Sequence, residues 1–316
     1  MAEPTSRFKP RSRNLLLLAL LVIGLYVVVP QIGDFRSSLH LLTRPRGGWP
    51  ALAVGLTAAT YLSAAATYCL LAFKPLKYAR TVLVQLAAMF VNRLLPGGIG
   101  ALGSNFVYLR REGHNSTQAG SMVAINNLLG FAGHSLLLLI ILLAYSGHLP
   151  AARHMQGRSG FWAGVGIALL AAVLLVLLIR PARQRVTTWG TEVGRQLSTY
   201  RQRPWRLPAA LLSSMTLTLA NVGCLAACAE ALGVHLSFLT IFLVFSLGIS
   251  AGTATPTPGG LGGFEAGLVA GMVAYDVNSA AALAVALLYR LISYWLALLA
   301  GGIAFIVCQR RGLLTL

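Results

Sequence analysis

Apolar residues fall along this chain in long, nearly unbroken blocks. Asn14 to Gly33, Trp49 to Phe73, Thr117 to Tyr145, Phe161 to Ile179, Leu207 to Ala229 and Ala280 to Val307 are such blocks. A hydrocarbon core about 30 Å thick needs roughly 20 helical residues, so these six predict six full spans. No stretch shows the apolar–polar alternation of a barrel strand. Two further apolar stretches are interrupted. Ala79 to Leu109 contains Asn92-Arg93-Leu94-Leu95-Pro96-Gly97-Gly98, and Ser237 to Tyr275 contains Thr255-Pro256-Thr257-Pro258-Gly259-Gly260. Proline removes a backbone donor and glycine raises the entropic cost of helix, so each motif predicts backbone opened at membrane depth. Each stretch reads as a re-entrant hairpin that leaves on the side it entered.

Composition agrees with a membrane protein. The 316 residues are 57% hydrophobic and 10% charged, with a mean hydropathy of +0.74. Soluble domains carry about 25% charged residues. A soluble enzyme, a disordered tail and a secreted disulfide scaffold are therefore excluded. The formal charge of +18 has a topological origin. With six spans and both termini cytoplasmic, 18 of the 25 Lys and Arg fall in cytoplasmic segments and five (Arg36, Arg44, Arg46, Arg153, Arg158) in external loops. That is the positive-inside pattern, and no nucleic-acid partner is needed to explain the charge.

The two interrupted stretches share a string. Pro96-Gly97-Gly98-Ile99-Gly100 and Pro258-Gly259-Gly260-Leu261-Gly262 lie 162 residues apart. The same offset carries Thr117–Tyr145 onto 279–307 and Trp49–Phe73 onto 211–235. A single membrane domain, 1–316, thus reads as two halves, 14–145 and 161–307, with the first hairpin entering from the cytoplasm and the second from outside. Such inverted-topology repeats place a binding site at the repeat interface near the midplane.

Candidate chemistry gathers at the same motifs. Opened backbone at membrane depth must be buried in protein or line a wet cavity, and a helix resuming after it offers free N–H groups to an anion. Arg93, Glu265, Arg290 and His134 are the ionisable residues inside the predicted membrane segments, where a charge at the bilayer centre costs at least about 2.5 kcal/mol. One reading has Arg93 and Arg290 grip a phosphate while Glu265 takes a cationic group or a proton. The plainer one is an Arg–Glu pair bridging the two hairpins. His134 reads as a core histidine, and Asn92, Asn126 and Asn127 as interhelical hydrogen-bonders.

Other signals carry less. Cys69, Cys224, Cys228 and Cys308 lie in apolar stretches without a metal-ligand pattern and read as buried small side chains. In the segment 180–206, Val186, Trp189, Val193, Leu197 and Tyr200 share one helical face, which predicts an amphipathic helix on anionic inner-leaflet lipid. Asn115-Ser116-Thr117 is a glycosylation sequon on the wrong side. Gly98 to Gly103 matches a dinucleotide fingerprint with no strand before it, and no ATP-binding motif is present.

The run Pro256-Thr257-Pro258-Gly259-Gly260-Leu261-Gly262, then Glu265, then Tyr289-Arg290-Leu291, resembles the membrane domain of the lysylphosphatidylglycerol synthase/flippase superfamily. Asn92-Arg93-Leu94-Leu95-Pro96 followed by Gly100 matches the first-half pattern more loosely. The resemblance covers nearly the whole chain. It implies substrate-binding roles for Arg93, Pro96, Gly97, Gly98, Pro258, Gly259, Gly260, Gly262, Glu265 and Arg290. Many relatives carry an Arg followed by an Asp in the span after the first hairpin, where this chain has Asn126-Asn127. The chain ends at Leu316 without an aminoacyltransferase domain, so synthesis of lysylphosphatidylglycerol is not expected of it.

The expectation is an all-α polytopic membrane bundle in the cell membrane. It would move a phospholipid or polyprenyl-phosphate-linked lipid between leaflets, without cofactor, metal or catalytic residue, and with room for self-association. The rival expectation is a lipid-binding accessory of a separate enzyme. A transferase is the third.

Overall fold

The computed structural model describes residues 47–95, 98–144, 200, 203–255 and 257–314. Their regular elements are all helices, with no strand among the described residues. In chain order they form α1 (Trp49–Leu71), α2 (Tyr78–Leu94), α3 (Ile99–Arg111), α4 (Ser116–Ala144), α5 (Arg206–Ala231), α6 (Phe238–Ala254), a 3-10 turn (Pro258–Gly260), α7 (Gly263–Val273) and α8 (Ser279–Arg290). A π-helical segment (Leu291–Leu296) carries α8 into α9 (Ala297–Arg310). Four of these helices, with Ser279–Arg310 taken as one, are long and apolar enough to cross a membrane. They match four of the six predicted spans. The other two, Asn14–Gly33 and Phe161–Ile179, lie outside the described residues.

Helix boundaries follow from local chemistry. The α2 and α6 helices stop just before Pro96 and Pro256, as the residue preceding proline is driven from the helical region. Ser237 caps α6 by accepting from the Thr240 N–H at 3.2 Å, and Asn278 caps α8 by accepting from Ala280 at 2.9 Å. The Asn115 side chain accepts from Gln118 N–H at 2.8 Å, while the Gln118 amide accepts from Asn115 N–H at 3.1 Å. The supposed sequon is therefore a reciprocal cap that starts α4.

Both interrupted stretches fold back as antiparallel helix pairs. In the first, Thr81 meets the Tyr108 hydroxyl at 2.9 Å, the Gln85 amide donates to Asn105 at 2.7 Å, and the Ala101 N–H donates to Asn92 at 3.2 Å. In the second, Gly248 faces Leu268 and Gly252 faces Phe264. The 17 residues of α2 and of α6 reach about 25 Å at 1.5 Å per residue, and the 11 of α7 about 16 Å. These arms are shorter than the four long helices.

The described residues gather into two compact units, one built on 223–296 and the other on 55–93, 98–222 and 297–314. The latter buries Tyr68, Leu71, Tyr108, Leu109, Met122 and Ile125 together. Tyr200 belongs to this core. It is 4% exposed, its hydroxyl donates to Leu71 O at 2.5 Å, and its ring lies 5.5 Å from that of Phe73. That corrects its assignment to a lipid-facing amphipathic surface: the open carbonyls at the end of α1 recruit it inward. The rest of the predicted amphipathic face lies outside the described residues. Elsewhere the long helices turn large apolar side chains outward, with Phe131, Leu143, Leu299 and Ile303 among the most exposed.

Candidate functional site

The second hairpin turns on three residues. Thr257 is extended and its hydroxyl donates to Leu261 O at 2.8 Å. Pro258–Gly260 then closes a single 3-10 turn, with Gly259 at φ 63° and Gly260 at φ 66°. Glycine is required at both for more than its φ. A Cβ on Gly259 would strike the Tyr294 ring, and one on Gly260 would sit 2.9 Å from Gly252 O. The turn is thus seated against α6 and the π-helical segment.

Its outward carbonyls need donors, and Arg290 supplies them. From the last turn of α8 its guanidinium reaches Gly259 O from Nη1 and Nη2 at 3.4 Å and Gly260 O from Nη2 at 3.3 Å. The same fork holds Glu265, with Nε 2.7 Å from Oε1 and Nη2 donating to Oε2 at 3.3 Å. The guanidinium lies over the rings of Phe264, at 4.3 Å, and Tyr294, at 5.3 Å. Phe264 in turn stacks on Tyr289, centroids 5.7 Å apart, and Phe245 meets both edge-on. The pair is nearly sealed, its side chains 10% and 18% exposed.

Glu265 has a second task. It stands three residues into α7, and its Oε2 accepts from the Gly262 N–H at 2.8 Å. The carboxylate caps the helix start and sits at the positive end of its dipole. The anion expected at this helix start is therefore the protein's own side chain. The structure thus brings Pro258, Gly259, Gly260, Gly262, Glu265 and Arg290 together in one cluster. Two of its members escaped the sequence reading: Tyr294, four residues after Arg290, and Phe264, beside Glu265.

The first hairpin is built differently. Gly98 is at φ 78° and α3 starts behind it. The cap on α3 is the Asn92 amide, which comes from before the turn. Arg93 is 9% exposed and faces the Tyr61 hydroxyl of α1. Glu265 pairs with Arg290, which joins the second hairpin to α8. The short loop between α7 and α8 places those helices side by side. Pro96 and Gly97 lie outside the described residues. Asn127 donates to Val123 O of its own helix at 2.7 Å, its amide reaching the carbonyl one turn back.

A histidine not singled out from the sequence, His114, sits in the loop between α3 and α4. It is 1% exposed. Its Nε2 accepts the Lys74 N–H at 3.2 Å and its Nδ1 lies 3.1 Å from Leu109 O. That pattern fixes a neutral ring protonated on Nδ1. Burial holds its pKa below the usual 6.5. The four cysteines are free thiols, and no group of three or more His, Cys, Asp or Glu among the described residues could hold a metal.

Residues 16–301 match the family model described as the lysylphosphatidylglycerol synthase TM region, and the chain belongs to that family. No curated protein matches the chain. Membership points to a lipid-related function in the membrane.

Proposed function

We propose that this family member moves a phosphate-bearing lipid, or its head group, between the leaflets of the cell membrane. In this reading both broken stretches are re-entrant, entering from opposite sides as the two halves of an inverted repeat. Alternating exposure of the polar centre between those halves carries the cargo. The observation that carries the reading is the Arg290–Glu265 cluster. A charged fork buried among apolar helices is costly, and such residues within membranes mark ligand paths by default.

Several features support it. The element order of helix, helical hairpin and long helix occurs twice among the described residues, at α1–α4 and again at α5–α9. The hairpin arms are too short to span about 30 Å singly. Arg290 presents a planar fork suited to phosphate, and its contacts with the glycine carbonyls are long enough to be exchanged for phosphate oxygens.

The test is a dithionite-quenching assay on purified protein in liposomes carrying fluorescent phosphatidylglycerol. Wild type should expose the inner-leaflet probe, and Arg290→Lys, which keeps the charge and loses the fork, should slow that exposure at least tenfold while eluting as a folded protein. Equal rates in the two would remove Arg290 from the site. Absence of transfer by wild type, with any phospholipid or polyprenyl phosphate, would favour the accessory role.

A further inference from the structure

The charge balance at Glu265 decides what accompanies the lipid. As folded, Arg290 and Glu265 form a neutral pair with the guanidinium Nε 2.7 Å from Oε1. The remaining ligands of Arg290, the carbonyls of Gly259 and Gly260, stand off at 3.3 to 3.4 Å. An arriving phosphodiester would displace those weak ligands and leave the tight one. The cluster would then hold one cation and two anions, a net negative charge among Phe264, Tyr289, Tyr294 and Phe245. An uncompensated charge of that kind is strongly disfavoured at membrane depth.

Glu265 has the means to cancel it. Its carboxylate contacts Arg290 of α8 and the Gly262 N–H at the start of α7. Next to it, Gly252 of α6 and Thr255 just after that helix lie against Phe264 and Gly263, and the π-helical segment contributes the Tyr294 phenol, whose ring faces Arg290. Among the described residues Arg290 is thus the one charged group in contact with this acid. Once protonated, Glu265 keeps an oxygen to accept from Gly262 and gains an O–H to donate to the phosphate.

We infer that Glu265 binds one proton with each singly charged phospholipid, so that the lipid anion and the proton cross together with no net charge moved. This rests on the translocase reading above. No covalent bond changes: the proton is taken from water on the side where the lipid enters and returned to water on the side where it leaves.

The test uses the purified full chain in liposomes containing entrapped pyranine. Fluorescent phosphatidylglycerol is added from outside, under either a pH difference or a potassium–valinomycin potential. The pair predicts that lipid entry acidifies the lumen. It also predicts that one pH unit, acid outside, biases the leaflet ratio about tenfold inward, because each lipid is tied to one proton. The potassium–valinomycin potential should leave the ratio unchanged. Glu265→Gln, neutral at every pH, should lose the pH response, and Glu265→Asp should keep it. Transfer that follows the potential and ignores the pH difference would overturn proton coupling while leaving translocation intact. A Glu265→Gln protein that still follows the pH difference would overturn the assignment to this residue. Absence of transfer under all conditions would overturn translocation and the coupling with it.

Discussion

Arg290 lies on an apolar helix, yet Nη1 and Nη2 donate to carbonyls of the turn and Nε lies 2.7 Å from Glu265 Oε1. Two tasks are combined in it: neutralising Glu265 and satisfying the carbonyls of a turn that no helix can satisfy. Removing one partner of a buried pair leaves the other uncompensated, which costs about 3–5 kcal/mol. Arg290→Met and Glu265→Leu should each lower stability by about that much, and the double variant should cost clearly less than their sum. Thermal unfolding in detergent measures the cycle, and additivity would mean the two side chains do not interact. At His114 the sign of the pH effect is fixed by burial, with Lys74, Arg110 and Glu112 as the nearby charges. The folded ring resists protonation, so the unfolded chain takes up the proton first. Stability present above pH 6.5 is lost as pH falls through the lower folded value. Unfolding midpoints between pH 8 and 5 should show that loss, and His114→Gln should flatten it.

The helices show what was legible in the sequence and what was not. Span boundaries predicted from length and hydropathy agree with α1, α4 and α5 to within about two residues, because the bilayer leaves little freedom in span length. The breaks were equally visible, since proline and glycine act locally. The partner of Glu265 was not. Arg93 and Arg290 both fall in predicted membrane segments, and only the packing of α8 on α7 brings Arg290 to Glu265. The π-helical segment and the cage of Phe264 and Tyr294 likewise arise from packing. His114 went unnoticed because nothing in its neighbours marks a lone histidine as buried. At Asn115 the sequon and a cap share one string, since Asn-x-x-Gln ahead of an apolar run also spells a cap. Close helix approach within the first hairpin can be tested directly. A Cβ on Gly100 would lie 2.5 Å from the Val91 backbone, whereas one on Gly103 meets nothing within 4 Å. Gly100→Ala should therefore destabilise by about 1–3 kcal/mol through overpacking. Gly103→Ala should be neutral or stabilise by up to about 1 kcal/mol.

At the scale of the whole molecule, the proposed function requires two helical hairpins inserted from opposite sides of the membrane. Short arms, a doubled element order and the excess of cations in the predicted cytoplasmic segments support that arrangement. Translocation of a charged head group needs polar backbone reachable in turn from each surface, which two opposed hairpins would supply. The most direct measurement is two-sided labelling of single cysteines placed at Lys77 and Glu112, which flank the first hairpin, and at His235 and Asp276, which flank the second. With the four native cysteines replaced, an impermeant maleimide should label the first two positions from the cytoplasmic side alone and the last two from the external side alone. Labelling of Lys77 and Glu112 from opposite sides, or of all four from one side, would contradict the inverted pair.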